Sequence, residues 1–127
     1  MLYGTTYYWR VCAINAVDTS GWSDIWQLHT TDHVVLRGPA NTSIGMSVSS
    51  TQLSWYNSEG STSYLVQWDT SSTFTSSLLD SYTITASASS TSEYFYKNIS
   101  GLRYGTTYYW RVRSANNAPD NSGWSST

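Results

Sequence analysis

Apolar and polar residues alternate along this chain with a period of two, and almost nowhere with the period of a helix. In Gln52-Leu53-Ser54-Trp55 the residues Leu53 and Trp55 face one way. In Ser63–Asp69 the residues Tyr64, Val66 and Trp68 share a face. Leu78–Thr85 and Glu93–Asn98 read as two more strands. Thr106–Ser114 turns Tyr108, Trp110 and Val112 inward, and Thr107, Tyr109, Arg111 and Arg113 outward. Clusters of Ser, Thr, Asn and Gly separate these runs and supply turns. One apolar face per strand predicts antiparallel sheets with one side on the core and one in water. The expected fold is therefore all-β, with Leu53, Trp55, Tyr64, Val66, Trp68, Tyr108, Trp110 and Val112 as core.

A repeat sets the frame. Tyr3-Gly4-Thr5-Thr6-Tyr7-Tyr8-Trp9-Arg10-Val11 recurs unchanged as Tyr104-Gly105-Thr106-Thr107-Tyr108-Tyr109-Trp110-Arg111-Val112, an offset of 101 residues. Downstream, Gly21-Trp22-Ser23 recurs as Gly123-Trp124-Ser125, one residue later in phase. A period near 100 residues is that of one β-sandwich domain. Residues 1–31 thus read as the last two strands of one module, and residues 33–127 as a second module lacking its final strand. The final strand of the first module is expected over Asp24–Thr31, with Trp26 and Leu28 inward. The linker around Thr31-Asp32-His33 is short, which predicts a semi-rigid array.

Leu102-x-Tyr104-Gly105-Thr106-x-Tyr108-x-Trp110-x-Val112-x-Ser114 resembles the sixth-strand signature of fibronectin type III domains. Leu53-x-Trp55 resembles the second strand of that family and Tyr64-x-Val66 its third. The Tyr-Tyr-Trp-Arg-Val wording, the Gly-Trp-Ser that follows and Trp26-x-Leu28-x-Thr30 are similar to repeated bacterial secreted or surface versions. The resemblance implies an immunoglobulin-like antiparallel sandwich. It also implies that Tyr108 is a corner tyrosine whose hydroxyl bonds back to backbone near Leu102. Trp68 and Trp110 depart from the family pattern, standing where smaller apolar residues are common.

Composition narrows the function classes. Charged residues make up only 11% and aromatics 16%, with a net charge of −2. No basic field points to nucleic acid or anionic lipid, although Arg111 and Arg113 lie among tyrosines. No apolar run approaches the ~20 residues of a membrane helix. Cys12 is the one cysteine, so no internal disulfide forms. The carboxylates Asp18, Asp24, Asp32, Glu59, Asp69, Asp80, Glu93 and Asp120 are scattered over turns and outward faces, which argues against an acid–base pair. His29 and His33 flank the module junction without a third ligand close in sequence, so no metal or other cofactor is expected. The equivalent loops around Asp18 and Asp120 read as Asx turns. Asn41-Thr42-Ser43 and Asn98-Ile99-Ser100 match the glycosylation acceptor pattern. By alternation Trp9, Trp26, Trp55, Trp68 and Trp110 face inward, leaving Trp22 and Trp124 as loop tryptophans open to solvent.

The expected function is that of a non-enzymatic structural or adhesive repeat module of an extracellular or cell-surface, filamentous, multi-domain protein. Its expected partners are neighbouring copies of the module, and a polysaccharide or cell-surface ligand. The alternative is a carbohydrate-binding accessory module beside a secreted polysaccharide hydrolase, with Tyr8, Tyr109, Tyr56 and Tyr82 as candidate surface aromatics. Both ends are chemically unfinished. A continuous array would complete them with neighbouring modules, and strand exchange would complete them with Trp26 and Leu28 of another chain; the sequence favours the array.

Overall fold

The computed structural model describes residues 4–30, 33–58, 60–86, 92–116 and 122–127. They contain eight strands and no helix: β1 (Thr6–Trp9), β2 (Trp26–His29), β3 (Leu36–Gly38), β4 (Thr51–Tyr56), β5 (Ser63–Asp69), β6 (Asp80–Thr85), β7 (Tyr94–Ile99) and β8 (Tyr109–Ser114). β1 and β2 form a two-stranded sheet. The other six make two three-stranded sheets, ordered β3-β4-β7 and β6-β5-β8. Every pairing is antiparallel. The chain crosses between the sheets after β4, β6 and β7, which is the interleaved strand order of an immunoglobulin-like sandwich.

β-branched and aromatic residues at alternate positions explain why these runs pair, since such side chains pack well on a pleated, half-buried surface. β5 spans Ser63–Asp69, as the alternation predicts. β8 begins at Tyr109 rather than Thr106, because Gly105 turns the chain with a φ of 61° and the Thr106 hydroxyl donates to the Tyr104 carbonyl at 3.1 Å. β2 is shorter than the expected Asp24–Thr31, and β1 is equally short. Above them the backbone of Val11 and Ala13 bonds to serine hydroxyls instead of a full ladder. β3 carries too few residues for its alternation to stand out.

Val34, Leu53, Trp55, Tyr64, Val66, Trp68, Ala86, Ile99 and Val112 are buried between the two sheets. Tyr108 and Trp110 pack against this core while remaining half-buried. Trp55 meets Tyr64 edge-on, with centroids 5.6 Å apart, and Tyr64 in turn meets Phe95 at 5.1 Å. Burying each such side chain contributes on the order of 1.5–3 kcal/mol. The Tyr64 hydroxyl leaves the apolar layer to donate to Asn57 Oδ1 at 2.8 Å and to accept from the Ser58 N–H at 2.8 Å. The Trp55 indole N–H has no hydrogen-bond partner among the described residues.

Candidate functional site

A sandwich of two open sheets has four edge strands, and exposed edges recruit other strands unless something blunts them. Three of the four carry such a device. β3 has a register shift between Leu36 and Gly38 and is followed by Pro39. β7 points Lys97 inward at its edge, where the ammonium sits 3.6 Å from the ring centroid of Tyr82 on β6. That one contact closes the β6 and β7 side of the sandwich.

The fourth edge, β8, is finished only in its upper half. Ser125 Oγ accepts from the Val112 N–H at 3.0 Å, and the Ser125 N–H donates to the Val112 carbonyl at 2.8 Å. Ser122 Oγ accepts from the Ser114 N–H at 2.8 Å. Two serines three residues apart thus serve two alternate backbone sites, and Trp124 between them turns outward. Trp124 lies on the Arg111 guanidinium at 4.1 Å, with Arg113 at 4.8 Å from the same ring. Phe74 covers Arg111 from the other side at 3.9 Å, and Gln67 Oε1 accepts from its Nε and Nη2 at 3.0 and 2.8 Å. Trp124 is therefore half-buried, not the solvent-open loop residue its position after glycine predicts. Burial and the neighbouring Arg113 charge lower the Arg111 pKa.

The loop that delivers Phe74 is organised by Asp69, which the sequence places among scattered surface carboxylates. Asp69 is instead buried. Burial alone would raise its pKa, but hydrogen bonds from the Ser76 hydroxyl and from the N–H groups of Ser76, Ser71 and Thr70 outweigh it and hold the carboxyl below its ordinary value. An Asp at a strand end followed by Thr70-Ser71-Ser72 is the one sequence signal for this turn, since Asp and Ser side chains mimic turn backbone.

The lower half of β8 is bare. The backbone of Val112 points away from β5 toward Ser125, so by the two-residue alternation Trp110 and Tyr108 point the same way. No hydrogen bond fills that side of either residue among the described residues. Beneath this edge the two sheets gape into a groove of about 840 Å³, lined by Leu36, Leu53, Trp68, Ile99, Leu102 and Trp110 among others. The corner at its floor is fixed, because the Tyr108 hydroxyl accepts from the Arg103 N–H at 3.2 Å, one residue past Leu102.

In the first copy of the repeat the equivalent segment pairs with a further strand. β2 runs along β1 with Thr6 opposite His29, Tyr7 opposite Leu28, Tyr8 opposite Gln27 and Trp9 opposite Trp26. Trp9 and Trp26 stack at 5.7 Å, and Thr6 Oγ1 bonds His29 Nδ1 at 2.9 Å. Above them the serine clamp is repeated: Ser23 Oγ accepts from Val11 N–H at 3.1 Å, Ser20 Oγ accepts from Ala13 N–H at 2.9 Å, and Arg10 lies 4.3 Å over Trp22. Trp9, Trp26 and Leu28 are nonetheless exposed, Trp26 by 65%. Alternation gives them an inward face, but no second sheet covers it among the described residues.

The remaining candidates fall elsewhere. Asn15, rather than Asp18, caps its loop, with Oδ1 accepting from the N–H groups of Val17 and Asp18 at 2.8 Å each; Asp120 lies outside the described residues. His33 bridges to Gly123, whereas His29 bonds to Thr6. No three His, Cys, Asp or Glu side chains gather into a metal site among the described residues. Asn41 and Asn98 are both exposed. Of the candidate surface tyrosines, Tyr8, Tyr56 and Tyr82 are exposed and Tyr109 is half-buried. Tyr94 and Tyr96 on β7 join Tyr56 on the outer face of the β3-β4-β7 sheet, and Arg37 reaches across to Tyr94 at 4.2 Å.

The strand order, the corner tyrosine and the inward tryptophan of β4 together make an antiparallel β-sandwich with an immunoglobulin-like strand order. No family model matches the chain, and no curated protein matches it. A crystal structure of chicken CNTN1 FN1-FN3 domains is similar over 99% of this chain and 42% of that one, at 16% identity and a TM-score of 0.48. The chain thus spans less than half the length of that fragment, and a likeness at this level carries no argument about role.

Proposed function

We propose that the chain is a non-catalytic structural or adhesive module of a repeated extracellular or cell-surface array. The observation that carries this reading is the duplication. The nine identical residues recur with the same serine clamp on their backbone and the same arginine on the clamp's tryptophan. A unit reproduced down to side-chain hydrogen bonds is one that stacks, and residues 1–31 and 33–127 then belong to successive modules, with a filament as the natural product of the array. Its partners are neighbouring modules. The dispersal of the carboxylates and the histidines supports the absence of catalysis.

A second reading rests on the tyrosines of the outer sheet face. Tyr56, Tyr94 and Tyr96 are exposed side by side, and aromatic faces of this kind stack on sugar rings; this favours an accessory module that holds polysaccharide. A pull-down on insoluble polysaccharides separates the two. The structural reading expects the protein to stay in the supernatant; retention that is lost in Tyr96→Ala would replace it with the carbohydrate reading.

A further inference from the structure

We infer that the free edge of β6 is an interaction surface, and that its occupant is β6 of a second copy of this chain, paired antiparallel about a two-fold axis at Thr83. The inference goes beyond the modular reading, which joins modules end to end, by naming a side-to-side contact between copies. β6 stands at one edge of its sheet, with β5 between it and β8. Edges are ordinarily blunted by bulges, prolines or charges. β3 has its register shift and β7 its lysine. β6 pairs with β5 over Asp80–Thr85 without a shift, and Ser81-Tyr82-Thr83-Ile84-Thr85 holds neither a proline nor a charge. Lys97 meets the ring of Tyr82 from within the sandwich, not the backbone at the edge.

The phase of the hydrogen bonds fixes which atoms are free. The Ala86 N–H donates to the Thr62 carbonyl at 2.8 Å, and on the other side of β5 the Ala115 N–H donates to the Ser63 carbonyl at 2.9 Å. By the two-residue alternation the backbone of Ile84, Tyr82 and Asp80 also points to β5, and that of Ser81, Thr83 and Thr85 points away. The Ser81 N–H is taken by Asp80 Oδ1 at 2.8 Å. The N–H groups of Thr83 and Thr85 and the carbonyls of Ser81 and Thr83 face outward, with no partner among the described residues.

A two-fold centre at Thr83 is the one that gives all three outward residues a partner within the strand. Thr83 then faces its own equivalent, and Ser81 faces Thr85 of the other copy. Each Thr83 N–H donates to the opposite Thr83 carbonyl, and each Thr85 N–H to the opposite Ser81 carbonyl. The side chains agree with this register, because directly opposed residues project to the same side of the sheet. Ser81, Thr83 and Thr85 are exposed on the outer face, where hydroxyl side chains bond across strands. On the inner face Tyr82, 48% exposed, meets Ile84 of the other copy, an aromatic against a β-branched residue that packs on the core. Two three-stranded sheets thereby become one sheet of six. The contact is isologous, so it closes at two partners. One short strand pair falls short of the roughly 1,000 Å² that marks a stable interface. In a repeated array the pairs add, since each contact raises the effective concentration for the next.

The test places cysteines along β6 in full-length chains carrying Cys12→Ser. Thr83→Cys sets a cysteine opposite its own copy at the ~5.5 Å Cα separation of a hydrogen-bonded pair, which a disulfide spans. Oxidation of concentrated protein is expected to give a covalent homodimer faster than Ser81→Cys or Thr85→Cys gives alone. A mixture of those last two variants is expected to favour the disulfide between unlike chains over either homodimer. Thr85→Pro, added to the Thr83→Cys chain, deletes an outward N–H and no bond to β5, and is expected to abolish trapping. Ser81→Lys with Thr85→Lys, which sets like charges opposite each other, is expected to abolish it as well. Near-ultraviolet circular dichroism checks that each variant is folded. Equal trapping at the three positions, random pairing in the mixture, or trapping that survives either disruption in a folded chain overturns the proposal. Retention on polysaccharide would overturn the modular reading without touching this result, and absence of trapping would leave the modular reading standing.

Discussion

Val11 and Val112 sit at the same place in identical nine-residue segments, each with its N–H held by a serine hydroxyl and its carbonyl by the same serine's N–H. Val11 is 57% exposed and Val112 is fully buried. Trp9 and Trp110 differ in the same direction, exposed against half-buried. The local hydrogen-bond pattern is thus written into the segment and its serine clamp, whereas burial is conferred by what lies across the sandwich. β8 lies beside β5 and against the Leu53 and Trp55 face of β4; β1 has neither neighbour. β1 pairs with β2, and the described partners of β8 on the corresponding side are Ser122 and Ser125.

The largest contrast is expected from the tryptophans. Trp110→Ala should cost about 2–3 kcal/mol in urea-induced unfolding, at or just below the range for a large core aromatic because Trp110 is half-buried. Trp9→Ala should stay within about 0.5 kcal/mol, as exposed substitutions do. Equal costs at the two positions would mean that an unrecognised element covers β1. Next come the clamps. Ser125→Ala leaves the buried Val112 N–H without its acceptor and is expected to cost about 1–3 kcal/mol, while Ser23→Ala, whose partner N–H water can reach, should cost a few tenths at most. If both are silent, the serines follow the strand rather than hold it.

The smallest expected effect is a titration. Only the second copy has Phe74 beneath its arginine, and Asp69 holds that loop. The Asp69 carboxyl lies below its ordinary 3.8 in the fold, so it binds protons less readily than in the unfolded chain. Its contribution to stability is complete above the unfolded value and is lost as pH falls through the lower folded one. Thermal melts taken from neutral pH into the acid range should therefore drop below about pH 4. In Asp69→Asn that part of the drop should be absent. A variant with an unchanged acid limb would show that other carboxylates set it.

Several features were legible because they depend on short-range pattern. The period-two alternation located β4, β5, β7 and the inward face of β8, and it assigned Trp55, Tyr64, Val66 and Val112 to the core before any partner strand was known. The repeat set Ser23 and Ser125 in equivalent places, but that they hold the backbone of Val11 and Val112 emerged only from the structure. Asp69 was not legible, since a carboxylate at a strand end reads as solvent-facing until the loop that wraps it is seen. Trp124 was not legible either, because its cover comes from Arg111 and Arg113 on β8, which only the fold brings against it. Tyr94 and Tyr96 were missed as surface aromatics because their outward face depends on which side of β7 meets β4.

The sequence by itself determined the class of this protein. Alternation permits only half-buried strands, and the resemblance of the Gly105 and Tyr108 segment to a sixth-strand signature implied a hydroxyl returning to backbone near Leu102. It also determined that one segment occurs twice with one local hydrogen-bond pattern. Tertiary structure alone decided which copy is core and which is surface, because burial is a property of what packs on a face and not of the face itself. It also decided that Lys97 on β7 meets Tyr82 on β6 across the two sheets. Edge exposure depends on which strands meet across the two sheets, and no local pattern carries that information.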